Sequence, residues 1–107
     1  MGNQLAHHAV ALMMDGTRTK GLTQGARLTL LAMALSAHDT GTKRIPPAYY
    51  YRVWRHLGMV LGHDTWDRTA EQAVTRAVRQ LTQAGLIERD DSGKPADWHA
   101  RGYRLTL

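Results

Sequence analysis

The sequence predicts an α+β protein, mainly helical with a small β-hairpin, and three observations carry that prediction. Residues 69–84 place Ala70, Val74, Ala77 and Leu81 at helical spacing, with Gly85 directly behind them. Residues 28–37 are apolar around most of a helix's girth, so they need covering on two sides. Two carboxyl-terminal runs, Leu86-Ile-Glu-Arg-Asp90 and Tyr103-Arg-Leu-Thr-Leu107, read as strands, the second with Tyr103, Leu105 and Leu107 alternating inward.

Composition narrows the class further. The chain has 107 residues, no cysteine and a formal net charge of +5 spread along its length. That length suits one domain with one core. Without cysteine there is no disulfide framework, thiolate zinc site or thiol nucleophile, which fits a reducing cytoplasm. No apolar run approaches the roughly 20 residues of a membrane span, and the start Met-Gly-Asn-Gln-Leu-Ala lacks the layout of a signal peptide or a myristoylation signal. A soluble, cytoplasmic protein without membrane association is therefore expected. No Gly-rich phosphate loop, zinc motif or nucleophile–base spacing is present, so neither enzymatic activity nor a cofactor is expected.

The elements follow in order. Asn3 caps a first helix over about 4–14, with Leu5, Ala9, Leu12 and Met13 on one face and Asp15-Gly16 closing it. His7 and His8 are adjacent and have no third ligand at helical spacing, so no metal is assigned to them. Residues 17–22, with Arg18 and Lys20, form a polar connection that leaves open a basic arm touching phosphates; residues 1–22 are thus an amino-terminal extension to a domain over 23–107.

Thr23 caps the next helix, to about residue 38, in which Leu28, Leu31, Ala32 and Leu35 form one face and Leu30, Met33, Ala34 and Ala37 the other. Later helices should cover one face, and the amino-terminal helix or a second subunit the other. Residues 42–45 read as a short strand. Pro46-Pro47 then opens a helix at its first turn, with Tyr50, Val53, Trp54, Leu57 and Leu61 on its core face. Residues 62–67 form a turn from which Trp66 plugs the core. His63, Asp64 and Asp67 in that turn serve as caps and turn bonds rather than cation ligands. Residues 91–102 have the composition of a loop joining the two final strands.

The helix over 69–84 carries the functional signal. Thr69 and Gln72 have capping-box spacing, and Glu71 complements the dipole of the first turn. Opposite the apolar stripe fall Arg68, Gln72, Thr75, Arg76, Arg79 and Gln83, a face on which no acid is expected. A solvated polar face is the bland alternative.

Residues 73–89, Ala-Val-Thr-Arg-Ala-Val-Arg-Gln-Leu-Thr-Gln-Ala-Gly-Leu-Ile-Glu-Arg, resemble the recognition helix and first wing strand of the winged helix-turn-helix superfamily. Gly102-Tyr-Arg-Leu resembles the returning strand. The run from Leu28 to Asp39 resembles the first helix of phage and actinobacterial members, both small regulators and replication initiators. The resemblance covers 23–107, and the amino-terminal helix and the long turn at 62–67 depart from it. It implies that helix 69–84 enters the major groove of double-stranded DNA while the wing, residues 91–101, meets backbone or minor groove.

Arg pairs with guanine and Gln with adenine, so Gln72 and Arg76 are the candidate base readers, with Thr75 adding a methyl or hydroxyl contact. Lys43, Arg44, Arg68, Thr69, Arg79, Lys94 and Arg101 are assigned to phosphates. The expected role is a phage or mobile-element transcriptional regulator. An origin-binding replication protein, or a winged-helix docking module that binds protein and no nucleic acid, remain open alternatives. A homodimer would form through the amino-terminal helix or helix 23–38.

Overall fold

The structure is a computed structural model that describes residues 3–37, 49–50, 54–89 and 102–107, with Asn3, Tyr49 and Trp54 described by backbone alone. Among these residues the chain is mainly helical with a small antiparallel sheet, an α+β arrangement. The elements are α1 (Asn3–Asp15), α2 (Gln24–Ser36), β1 (Tyr49–Tyr50), α3 (Trp54–Val60), α4 (Arg68–Gln83), β2 (Ile87–Arg89) and β3 (Tyr103–Leu105). No helix among the described residues is long and apolar enough to cross a membrane.

Helix ends follow local chemistry. Thr23 accepts the Ala26 N–H at 3.2 Å and so caps α2 as its sequence position predicts. α1 ends at Asp15, and Gly16 turns the chain with φ +81° while its N–H donates to the Leu12 carbonyl at 3.0 Å. Asn3 already lies inside α1 rather than before it. α4 ends as predicted at Gly85, with φ +74°. The Leu86 N–H reaches the Leu81 carbonyl at 3.0 Å and the Gly85 N–H the Thr82 carbonyl at 3.1 Å, the paired bonds of a Schellman ending.

The start of α4 differs from expectation. Asp67, not Thr69, is its N-cap: its carboxylate accepts the Ala70 N–H at 2.9 Å, and Thr69 already lies within the helix. The Thr69–Gln72 box therefore does not form. Asp and Thr caps compete over a few residues, and here Asp67, two residues before Thr69, takes the Ala70 N–H, with the Thr65 hydroxyl donating to its other oxygen at 3.4 Å.

The second difference lies at Tyr49–Tyr50, which form a strand instead of continuing a helix opened by Pro46-Pro47. Tyr50 stands opposite Tyr103 and Tyr49 opposite Arg104, so β1 joins the edge of β3 away from β2 and the sheet order is β1-β3-β2. Consecutive tyrosines favour an extended, pleated surface, and cross-strand aromatic pairing rewards it. Tyr50 still reaches the core, but from a strand. The predicted strand over 42–45 and the two prolines lie outside the described residues.

One core joins these elements. Leu30, Met33, Leu57, Val74, Leu81, Leu86 and Ile87 are fully buried, together with Tyr50, Tyr103 and Leu105 from the sheet. Trp66 packs against this core from the α3–α4 turn as predicted. Its ring lies over Gly58, where a Cβ would meet the indole at 3.0 Å, so a glycine inside α3 makes room for it. α2 is central: it packs against α1, α3 and α4. Its covering is incomplete, because Leu28 and Leu35 stay 42% and 50% exposed.

Candidate nucleic-acid interface

α4 buries Ala70, Val74, Ala77, Val78 and Leu81 and turns its opposite side outward, as its apolar spacing predicts. Its rotational setting is held by more than that stripe. Gln80, which sequence reasoning passed over, accepts the Thr23 N–H at 3.1 Å and the Thr23 hydroxyl at 3.2 Å, tying the last turn of α4 to the N-cap of α2. Only its position two turns past the apolar Ala73 marked Gln80 as different from the other glutamines.

The outward side gathers Arg68, Glu71, Gln72, Thr75, Arg76 and Arg79 around one shallow groove. Five of these are predicted site residues, so the structure brings them together. Thr69 is exposed on the same helix but does not line the groove. Glu71 is a correction: an acid expected only to complement the helix dipole also borders the cationic face, because one turn of helix places it beside Arg68 and Thr75.

No hydrogen bond or ion pair among the described residues engages the guanidinium groups of Arg68, Arg76 or Arg79. Several other cations are occupied. Arg18 donates to the carbonyls of Gly85 at 3.1 Å and Thr106 at 3.0 Å, which staples the α1–α2 connection onto the end of the sheet. The basic arm considered for this segment thus has a structural duty at Arg18. Arg27 donates to the Leu22 and Thr19 carbonyls, each at 3.3 Å. Arg104 pairs with Glu88, its neighbour across the β2–β3 register. Glu88 thereby neutralises a strand residue and not the α4 face.

Thr75 is altered by its own helix. Its hydroxyl donates to the Glu71 carbonyl at 2.8 Å, so its proton is committed inward and it offers a methyl group and acceptor lone pairs outward. Arg76 stands on a ridge. It borders the α4 groove and also a cleft lined by Thr23, Gly25, Leu61, His63 and Gln80, between the start of α2 and the α3–α4 turn. Beneath the amino end of α4, the Ala70 N–H holds the Asp67 carboxyl below its ordinary range against partial desolvation. The Thr65 hydroxyl, the His63 charge and the Thr69 N–H lower it further.

Lys43, Arg44, Lys94 and Arg101, and the wing over 91–101, lie outside the described residues. Among the described residues no cluster of three or more His, Asp or Glu could hold a metal ion. Comparison with protein families, with curated proteins and with solved structures finds no match to this chain.

Proposed function

We propose that this chain is a winged helix-turn-helix protein that binds double-stranded DNA through α4, acting in the cytoplasm as a phage or mobile-element transcriptional regulator. The observation that carries this reading is the outward face of α4: three guanidinium groups, none engaged within the described chain, share one groove with Gln72 and Thr75. An unpaired row of arginines costs little in water, and a polyanion gives it work to do. The order α2, β1, α3, α4, β2, β3 also follows the order expected of the superfamily.

In this reading Arg68 and Arg79 take phosphates. At roughly 1.5 Å per residue they stand about 16 Å apart along the helix axis, and with long side chains they span a major groove about 12 Å wide. Thr69, exposed at the amino end, joins the phosphate set. Gln72 and Arg76, between them, are placed to read base edges, and Thr75 contributes its methyl group to a thymine rather than a hydroxyl donor. Glu71 discriminates: a carboxylate in the groove repels phosphate but accepts from the cytosine amino group.

Glu71 is also the observation that favours a second reading, a docking surface for a protein partner. Titrating random-sequence duplex DNA across a range of salt concentrations separates the two. Affinity that falls steeply with salt, as counterion release requires, supports DNA. No binding at the lowest salt would leave the docking surface as the better reading. A regulator and an origin binder share this surface, and sequences selected from a random DNA pool would tell them apart by the site recovered.

A further inference from the structure

Given the DNA reading of α4, on which this rests, we infer that Gln80 is a positioning residue for that interface. Its bonds to the N-cap of α2 hold the ridge that carries Gln72 and Arg76 at the angle from which bases are read. Gln72, Arg76 and Gln80 are spaced by four and follow one ridge of α4. Whatever fixes Gln80 fixes the bearing of the other two.

Apolar packing contributes little to that bearing beside the ridge. A cleft of about 310 Å³ opens there, and the apolar residues that α2 and α4 contribute to it are Gly25, Ala73 and Ala77, too short to interlock. Gln80 supplies a bond where packing does not. Its amide oxygen accepts the Thr23 N–H at 3.1 Å and the Thr23 hydroxyl at 3.2 Å, which uses both of its acceptor positions. A backbone N–H can only donate, so the oxygen and not the nitrogen of the amide faces Thr23. The same hydroxyl accepts the Ala26 N–H at 3.2 Å, so the cap that starts α2 and the strut that orients α4 share one atom. Among the described residues no other hydrogen bond joins α4 to α2 or its cap.

Base reading is sensitive to the angle of α4, and attraction to phosphate is not. At a side-chain radius of roughly 6 Å, turning the helix by about 10° moves its outer atoms by about 1 Å, twice the roughly 0.5 Å within which a binding constellation must be held. Bidentate pairing of Arg76 or Gln72 with a base edge does not survive such a shift, whereas the charges of Arg68 and Arg79 act on phosphates over longer distances. Gln80 therefore governs discrimination between sequences and leaves the salt-dependent attraction to any duplex alone.

Gln80→Met keeps the length of the side chain and removes its acceptor; Gln83→Met, at an exposed position in the same turn, is the control. Without DNA, hydrogen exchange on the full chain should show the Thr23 amide exchanging roughly tenfold faster or more in Gln80→Met, with the Ala26 amide still protected. With DNA, the preference for a selected site over random duplex should fall roughly tenfold or more, the order of one bidentate base contact, while the salt slope on random duplex stays as in wild type. Gln83→Met should match wild type in all three. An unchanged preference in Gln80→Met, or a Thr23 amide as protected as in wild type, overturns the positioning role. So does an equal loss on selected and random DNA, which would make Gln80 a contact in its own right. A wild-type chain without preference for any sequence removes the base-reading role of α4 and this role with it, and the DNA-free exchange of Thr23 tells that failure from a missing strut.

Discussion

Replacing Arg68 and Arg79 together by alanine removes the two guanidinium groups that border the α4 groove near its ends. Neither makes a hydrogen bond or ion pair among the described residues, so the double variant takes nothing from the core or the caps and its thermal stability should change little. Each phosphate neutralised contributes about 0.9 to the slope of log affinity against log salt on duplex DNA, so losing two should make the slope shallower by about 1.8. Between 50 and 200 mM salt, a slope difference of that size is worth about twelvefold in relative affinity. Fluorescence anisotropy with a labelled random-sequence duplex reads this directly. Arg27→Ala is the control for loss of charge alone, because its guanidinium is bonded to the Thr19 and Leu22 carbonyls. An unchanged slope in the double variant, or an equal change per charge with Arg27→Ala, would refute the assignment of Arg68 and Arg79 to phosphates.

The other expectations address the base readers, the cap and the core. Arg76→Ala should cost about 1–3 kcal/mol at a selected site and much less on random DNA; equal losses on both would make Arg76 a phosphate contact. The Asp67 carboxyl is held below its ordinary value in the folded chain, so its contribution is full above the unfolded carboxylate range and is lost as pH falls through the lower folded value. Thermal melts of Asp67→Asn between neutral and acid pH should therefore show a flatter acid limb than wild type, and a parallel limb would remove the cap from that role. Leu81→Ala opens a fully buried site between α4 and the rest of the core. It should cost about 2–5 kcal/mol by chemical denaturation, and a loss under about 0.5 kcal/mol, typical of surface positions, would mean that Leu81 is not central.

Much of α4 was legible in its sequence, because amphipathic periodicity is a local signal that burial then repeats: Ala70, Val74, Ala77 and Leu81 all lie in the core. The α2 cap at Thr23, the endings at Gly16 and Gly85 and the inward alternation of Tyr103 and Leu105 were legible for the same reason. Tyr50 was legible as a core residue but not as a strand residue. Burial is written in side-chain chemistry, whereas β1 exists only because β3, far along the chain, offers it an edge.

The sequence by itself determined which face of α4 turns inward and that arginine, glutamine and threonine turn outward from it, since hydrophobic spacing and backbone geometry act over a few residues. Tertiary structure decided which charges remain at large. Arg18 and Arg27 are drawn to carbonyl groups of neighbouring segments and Arg104 to Glu88 across the sheet, while Arg68, Arg76 and Arg79 meet no such partner among the described residues. It also placed Glu71 on the rim of the α4 groove and bound Gln80 to Thr23. Whether a polar side chain is occupied depends on atoms brought close by folding, and spacing along the chain carries no record of them.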